Sequence, residues 1–167
     1  MTMLDAALSY IEHGFKVFPV SVDKKPLTPH GLKDCTQTQL GAKEYWKKWP
    51  DAGIAIVTDG LVVLDFDVKN NGLESKQAIE EKYGNLPTTR VHQTGGGGYH
   101  YIYSNPNGHD IRNTVGLGGF KGVDIRANGG YIVVPPSKHP SGTKYRVLEK
   151  VAIAPAPKWL VLMARHH

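Results

Sequence analysis

The stretch Leu61-Val62-Val63-Leu64-Asp65-Phe66-Asp67-Val68 sets two carboxylates at alternating positions in an otherwise apolar run. In an extended strand that alternation sends Asp65 and Asp67 to one face and Leu64, Phe66 and Val68 to the other. Paired carboxylates near the end of a buried strand repel each other and lose solvation. A fold that keeps both ionised must therefore supply counter-charge, most simply a divalent cation. Carboxylate oxygens are hard ligands that favour Mg²⁺ or Mn²⁺. The bland counterpart is an exposed strand end that two acids merely solubilise, and for an isolated D-x-D it is the commoner arrangement.

Two further clusters shift that balance. His100 follows the glycine run 95–98 on a segment where it shares a face with Ile102, opposite Tyr99, Tyr101 and Tyr103. Bare glycine backbone lets a phosphate approach closely, although the run fits neither a Walker A nor a G-x-G-x-x-G context and is equally the mark of a flexible hairpin. Gly122-Val123-Asp124-Ile125-Arg126 then places an acid and a cation on one strand face, a pair that could simply neutralise itself at the surface. Three acids on two strands, a histidine behind a glycine loop and a nearby arginine together suggest phosphoryl or nucleotidyl transfer. Such chemistry uses two cations about 4 Å apart to activate a hydroxyl and stabilise the leaving oxygen, and positive donors to hold the triphosphate.

The elements that must position these groups are read in chain order. Thr2 and Asp5 form a capping-box pattern, and Leu4, Ala7, Leu8 and Ile11 recur at helical spacing up to Gly14, so residues 3–13 are predicted helical. Residues 15–20 alternate as a strand and lead into a loop over 21–33 that carries Lys24, Lys25, Pro26 and Pro29, a rigid basic segment able to grip phosphate. A second helix over 38–49 points Leu40, Tyr45 and Trp49 inward and stops at Pro50. Residues 53–58, the Asp59-Gly60 turn and 61–68 read as a hairpin. A turn over 69–72 precedes a third helix over 73–83; Lys69 and Asn70 stand where an EF-hand needs a ligand and a glycine. Strands follow at 88–94 and 99–103, then a polar loop over 105–119 that is a candidate mobile element with a short strand at 111–115. Residues 120–127 and 131–134 read as a second hairpin across Asn128-Gly129-Gly130, 144–149 as a further strand, and Pro157 opens a closing helix to about 165.

The whole chain limits the options. Its 167 residues, 40% hydrophobic and 21% charged, suit a single domain over 1–167, subdivided into an N-terminal α/β unit (1–60), a catalytic part (61–150) and a closing helix (151–167). No run of eighteen apolar residues and no basic, signal-like start is present, so a cytoplasmic protein without membrane attachment is expected. The single Cys35 excludes an internal disulfide and a multi-cysteine zinc site. A net charge of +5 points to a polyanionic partner such as nucleic acid. His166 and His167 are given no functional weight.

Taken together, the segments Val63-Leu64-Asp65-Phe66-Asp67, Thr94-Gly95-Gly96-Gly97-Gly98-Tyr99-His100, Gly122-Val123-Asp124-Ile125-Arg126 and Gly130-Tyr131-Ile132-Val133-Val134-Pro135-Pro136-Ser137 resemble the bifunctional primase–polymerase (prim-pol) domain of the archaeo-eukaryotic primase superfamily. Gly14 to Val20, Lys25-Pro26-Leu27, Trp49-Pro50 to Val57 and Ser137 to Gly142 agree, so the resemblance spans roughly residues 4–150. It implies an α/β (α+β) fold in which an RRM-like catalytic sheet packs with a smaller N-terminal α/β unit, the active site lying in the cleft between them. It further implies that Asp65, Asp67 and Asp124 are catalytic and bind two Mg²⁺ or Mn²⁺ ions, and that His100 binds the incoming nucleotide. Thr94, Gly97 and Gly98 would be its neighbours, and Arg126 and Lys25 phosphate contacts. No zinc is expected. The partners implied are a single-stranded DNA template, a primer strand and a dNTP or NTP, with a helicase domain in the same or a partner chain. Members typically serve plasmid, phage or integrated-element replication. The alternative is a non-catalytic single-stranded DNA-binding or replication-initiator module that stacks bases on Tyr99, Tyr101 or Tyr103, a reading that gives three acids no task. A sugar-nucleotide transferase would use a D-x-D without the His100 and Asp124 motifs, and a relaxase lacks its histidine pair here.

Overall fold

Helix α1 (Met3–Glu12) begins where the side chains of Thr2 and Asp5 each accept a hydrogen bond from the other's backbone N–H, both at 3.1 Å, and it stops at His13 ahead of Gly14, whose φ is +91°. The computed structural model describes residues 1–165, so His166 and His167 lie outside the described residues. Strand β1 (Val17–Val20) is buried throughout, and a short 3₁₀ turn (Gly31–Asp34) leads to α2 (Gln39–Lys48), N-capped by Thr38. The face α2 buries is Ala42 and Trp46. Leu40, expected to point inward, is 68% exposed, because the helix presents the 42/46 stripe and Leu40 lies off it.

Strands β2 (Gly53–Val57) and β3 (Leu61–Phe66) are joined by the Asp59-Gly60 turn, but they do not form the expected hairpin. β2 belongs to a three-stranded sheet in the order β1-β2-β7, where β7 is Tyr131–Val134. β3 belongs to a six-stranded sheet in the order β6-β3-β5-β4-β8, with β4 at Arg90–Gln93, β5 at Tyr99–Ser104, β6 at Val123–Arg126 and β8 at Arg146–Glu149. A short β9 (Ala154–Pro155) runs parallel to the end of β5. The second expected hairpin fails in the same way, since β6 lies in the large sheet and β7 in the small one. The chain thus changes sheet three times, between β2 and β3, between β6 and β7 and between β7 and β8, and the first two crossings hold each other. The Thr58 backbone N–H donates to the Gly130 carbonyl (2.9 Å), the Thr58 hydroxyl to the Ala127 carbonyl (2.7 Å), the Gly60 N–H to Asn128 Oδ1 (3.1 Å) and the Gly129 N–H to Asp59 Oδ1 (2.7 Å).

Alternation decides what each face of the large sheet meets. Leu64, Phe66, Tyr103, Val123 and Ile125 face α3 (Gly72–Tyr83) and α4 (Lys158–Arg165) and form the larger core. On the opposite face Val63 and Ile102 join Ile54, Ile56, Ile132 and the buried residues of α1 and α2 in a core shared with the small sheet. The expected α/β class, an acid-bearing sheet packed with a smaller α/β unit, is what the chain adopts, with β7 returned from the later sequence to complete the smaller sheet. The 105–119 loop is anchored by fully buried Ile111 and Leu117. Among the described residues no helix is long and apolar enough to cross a membrane.

Candidate active site

The antiparallel register lines up one polar row across four strands. His92 on β4 lies opposite His100 on β5, His100 opposite Asp65 on β3, and Asp65 opposite Asp124 on β6. Directly opposed residues share a sheet face. The next row on that face is Arg90, Ile102, Val63 and Arg126, so the two apolar residues close the row against the core while an arginine flanks each end. Sequence alternation foresaw the shared face of Asp124 and Arg126 and that of His100 and Ile102; strand pairing makes them one site.

Within the row, His100 Nε2 is 3.4 Å from Asp65 Oδ1, Arg126 Nε is 3.7 Å from Asp65 Oδ2, and Arg126 Nη2 is 3.5 Å from Asp124 Oδ2. Asp124 Oδ1 also accepts from the Gly116 N–H at 3.1 Å. Burial alone would push the Asp65 carboxyl up, but His100, Arg126 and Lys24 outweigh it and hold the group below the usual carboxylate range. Asp67 departs from the expected alternation. β3 ends at Phe66, and Asp67 caps the following 3₁₀ turn (Val68–Asn70), its Oδ1 accepting from the Lys69 N–H (3.0 Å) and Oδ2 from Asn70 Nδ2 (2.6 Å). The strand cannot continue because the chain turns sharply onto Gly72, where a Cβ would stand 2.6 Å from the Asp67 backbone. Val68, expected on the buried face, is correspondingly exposed.

All three acids nevertheless line one cavity of about 480 Å³, together with Thr94, Gly98, His100 and Arg126. The large sheet supplies one wall, and Tyr131, Ile132 and Val133 bring in the β7 side, so the site lies where the two sheets meet. Two expected residues are displaced from it. Lys24, not Lys25, reaches the cavity; its φ of +66° turns the chain there, and its carbonyl accepts from the Tyr131 hydroxyl at 2.9 Å. Gly97 is the tip of the glycine turn, donating to the Thr94 carbonyl at 3.0 Å, while Gly96 and Gly98 line the cavity. The run demands glycine through close approach: a Cβ on Gly98 would strike the Phe66 carbonyl, and one on Gly95 the His139 side chain.

Several lining residues went unread in the sequence. His139 and Tyr145 both border the cavity. Burial, with Lys24 and Lys69 nearby, holds the His139 ring below the ordinary histidine range, and burial next to Asp65 pushes the Tyr145 hydroxyl up to about 12. His92 was legible in principle, since a hairpin closed around Gly96 sets 92 opposite 100. A larger hollow of about 560 Å³ lies between α3 and β5, on the other face of the sheet. Its Lys76 and Glu80 pair with each other at 2.7 Å, and none of the acids of the row reaches it. Tyr99 and Tyr101 face this side rather than the row, and Tyr103 is wholly buried with its hydroxyl donating to the Pro87 carbonyl (2.8 Å), which removes it as a stacking surface.

The donor set suits a divalent cation in kind: three carboxylates open into one cavity, hard oxygens of the sort Mg²⁺ and Mn²⁺ prefer. They do not converge as a ready-made cluster, for among the described residues no group of three or more His, Cys, Asp or Glu stands close enough to hold an ion. Arg126, between Asp65 and Asp124, supplies the counter-charge instead.

A family model described as the N-terminal domain of bifunctional DNA primase/polymerases matches residues 7–159, a span that includes every residue of the polar row. The chain belongs to this family. No curated protein matches it. As a prim-pol domain the chain is of a DNA primase/polymerase family, and that membership implies a DNA template and nucleotide substrates. The two-sheet α/β architecture agrees with a prim-pol domain.

Proposed function

We propose that this domain is a template-directed nucleotidyltransferase that joins a nucleotide to a 3′-hydroxyl and releases pyrophosphate. The observation that carries the reading is the polar row itself. Acids, histidine and arginine from three strands open into a single cavity beside a glycine turn whose backbone can approach a phosphate. Asp65, Asp67 and Asp124 would hold Mg²⁺ or Mn²⁺ there. Bound divalent ions supply two things: a lowered pKa for an attacking hydroxyl and neutralisation of charge on the leaving oxygen. The remaining work falls to the chain's own groups. The His100 N–H, Arg126, Lys24 and the backbone around Gly98 bind the triphosphate and orient its α-phosphate, and His100 clamps rather than serving as a general base.

The test is incorporation of labelled nucleotide on a single-stranded template, with and without primer, with ribo- or deoxynucleotides, in magnesium or manganese. Asp65→Ala combined with Asp67→Ala should abolish incorporation while the far-UV spectrum stays native; a folded double variant that extends primers at the wild-type rate would overturn the assignment. His100→Ala should weaken nucleotide binding in a titration.

A further inference from the structure

Strands β6 and β8 bound the large sheet, and the two edges differ. β6 is covered, since the backbone of Thr114 exchanges hydrogen bonds with that of Ile125 at 2.9 and 2.8 Å. β8 pairs with β4 alone, and no other segment among the described residues bonds to the backbone of Arg146–Glu149. All four residues are exposed, Val147 at 37% and Leu148 at 42%, with Val151 at 42% just beyond. An unpaired apolar edge is a template for another strand.

That edge reads Arg146-Val147-Leu148-Glu149, a cation and an acid around two aliphatic residues. Laid antiparallel to a copy of itself with Val147 against Leu148, it sets Arg146 opposite Glu149 at both ends. A shift of one residue either way opposes Arg146 to Lys150, or Lys144 to Lys150. Like charges directly opposite each other are destabilising, so charge selects the first register. Side-chain direction agrees with it. Residues three apart in a regular strand point to opposite faces, but the bulge at Leu148 resets the alternation. Arg146 stands opposite Gln93 and Glu149 opposite Val91, which share a face, while Val147 stands opposite His92 on the other. A two-fold axis perpendicular to a sheet keeps every residue on its own face, so Arg146 of one copy meets Glu149 of the second copy on the same side. Arg146 is also held at the edge, its Nε donating to Gln93 Oε1 at 3.1 Å and its Nη2 to the same oxygen, with the rest of its N–H donors left for an acid.

We propose that β8 is a self-association edge: two copies of this chain join β8 to β8, antiparallel and with Val147 against Leu148, and extend the large sheet across a two-fold axis. The occupant is a second copy because the edge complements itself in charge, in face and in its apolar centre at once. The axis leaves both cavities on one side of the joined sheet, with the two His100 positions five strand spacings apart, roughly 24 Å. So short a junction makes a weak dimer, with a Kd on the order of 10–100 µM.

The test is sedimentation velocity of the whole chain at concentrations from about a tenth to ten times that value. Wild type should pass from monomer to dimer. Arg146→Glu and Glu149→Arg each oppose like charges at both ends of the junction and should raise the Kd at least about 10-fold. Mixed in equal amounts, these two variants should form a heterodimer as tight as the wild-type dimer, because every acid then faces an arginine. The double variant Arg146→Glu with Glu149→Arg swaps the pair and should dimerise by itself. Leu148→Lys, which leaves the charge pairs in place, should stay monomeric. A wild type that remains monomeric throughout the range, or a dimer that both charge reversals leave intact, would overturn the proposal. So would a mixture of the two reversals that stays monomeric, since exchanging charges restores only this register.

Discussion

Arg126 stands between two of the carboxylates proposed above to hold a divalent cation, and its removal measures what it does there. Asp65 and Asp124 are opposed across β3 and β6, and Arg126 reaches one oxygen of each, at 3.7 and 3.5 Å. Arg126→Gln leaves two opposed carboxylates, and at the roughly 5 Å typical of directly opposed side chains their repulsion is about 3 kcal/mol at an effective dielectric constant near 20. Both side chains are about a quarter exposed, 23% and 26%, so solvent screening brings the expected loss of stability to about 1–2 kcal/mol. For a chain of this length that is a fall in Tm of about 2–8 °C. The assay is thermal and urea unfolding of wild type and variant in chelator, then across a Mn²⁺ titration without nucleotide. The variant should start lower and gain more, because the ion enters an uncompensated pair of acids in the variant and must displace a guanidinium in wild type. An ion at 100 times its Kd adds about 2.7 kcal/mol, enough to erase the deficit. Equal stability in chelator, or equal gains with Mn²⁺, would refute the view that Arg126 and the cation compete for the same oxygens.

Thr58→Val keeps the side-chain shape but deletes the buried hydrogen bond to the Ala127 carbonyl, and should cost about 1–3 kcal/mol in urea unfolding; a loss below about 0.5 kcal/mol would mean that the paired crossings contribute little. His92, with its pKa lowered to about 3, is protonated in the unfolded chain below pH 6.5 but not in the folded one, so it stabilises fully above pH 6.5 and that contribution is lost as pH falls toward 3. Between pH 7 and pH 5 the wild type should lose about 2 kcal/mol by this route, and His92→Phe should be spared that part of the loss in urea midpoints measured at the two values.

The large-sheet strands were legible because their apolar and polar residues alternate cleanly: Val63, Asp65 against Leu64, Phe66, and Asp124, Arg126 against Val123, Ile125. The helices were legible through their end signals, as at the capping box of Thr2 and Asp5 and at Pro50 after the second helix. What local sequence does not carry is which strand pairs with which. Asp59-Gly60 and Asn128-Gly129-Gly130 are sound hairpin turns, yet each connects two sheets, because β2 gains its partners from β1 and β7 and β3 from β5 and β6, pairings made across long stretches of chain. The same limit hid the fate of Asp67. The tight packing that ends β3 depends on Gly122, where a Cβ would meet the Asn70 carbonyl oxygen at 2.5 Å, and a residue that far along the chain leaves no mark on the 61–68 pattern. His139 and Lys24 reach the cavity from loops, where periodicity says nothing about direction.

The late return of β7 to the small sheet bears on how this polypeptide can be cut. β2 occupies the middle position, so a fragment ending before β3 would carry two helices over a bare pair of strands with one flank of its central strand unsatisfied. Excising the acid-bearing sheet alone would in turn require severing the backbone at three places, since β7 of the other sheet is inserted between β6 and β8. Neither half is a natural module; a minimal version of this prim-pol domain has to keep both sheets on one uninterrupted thread.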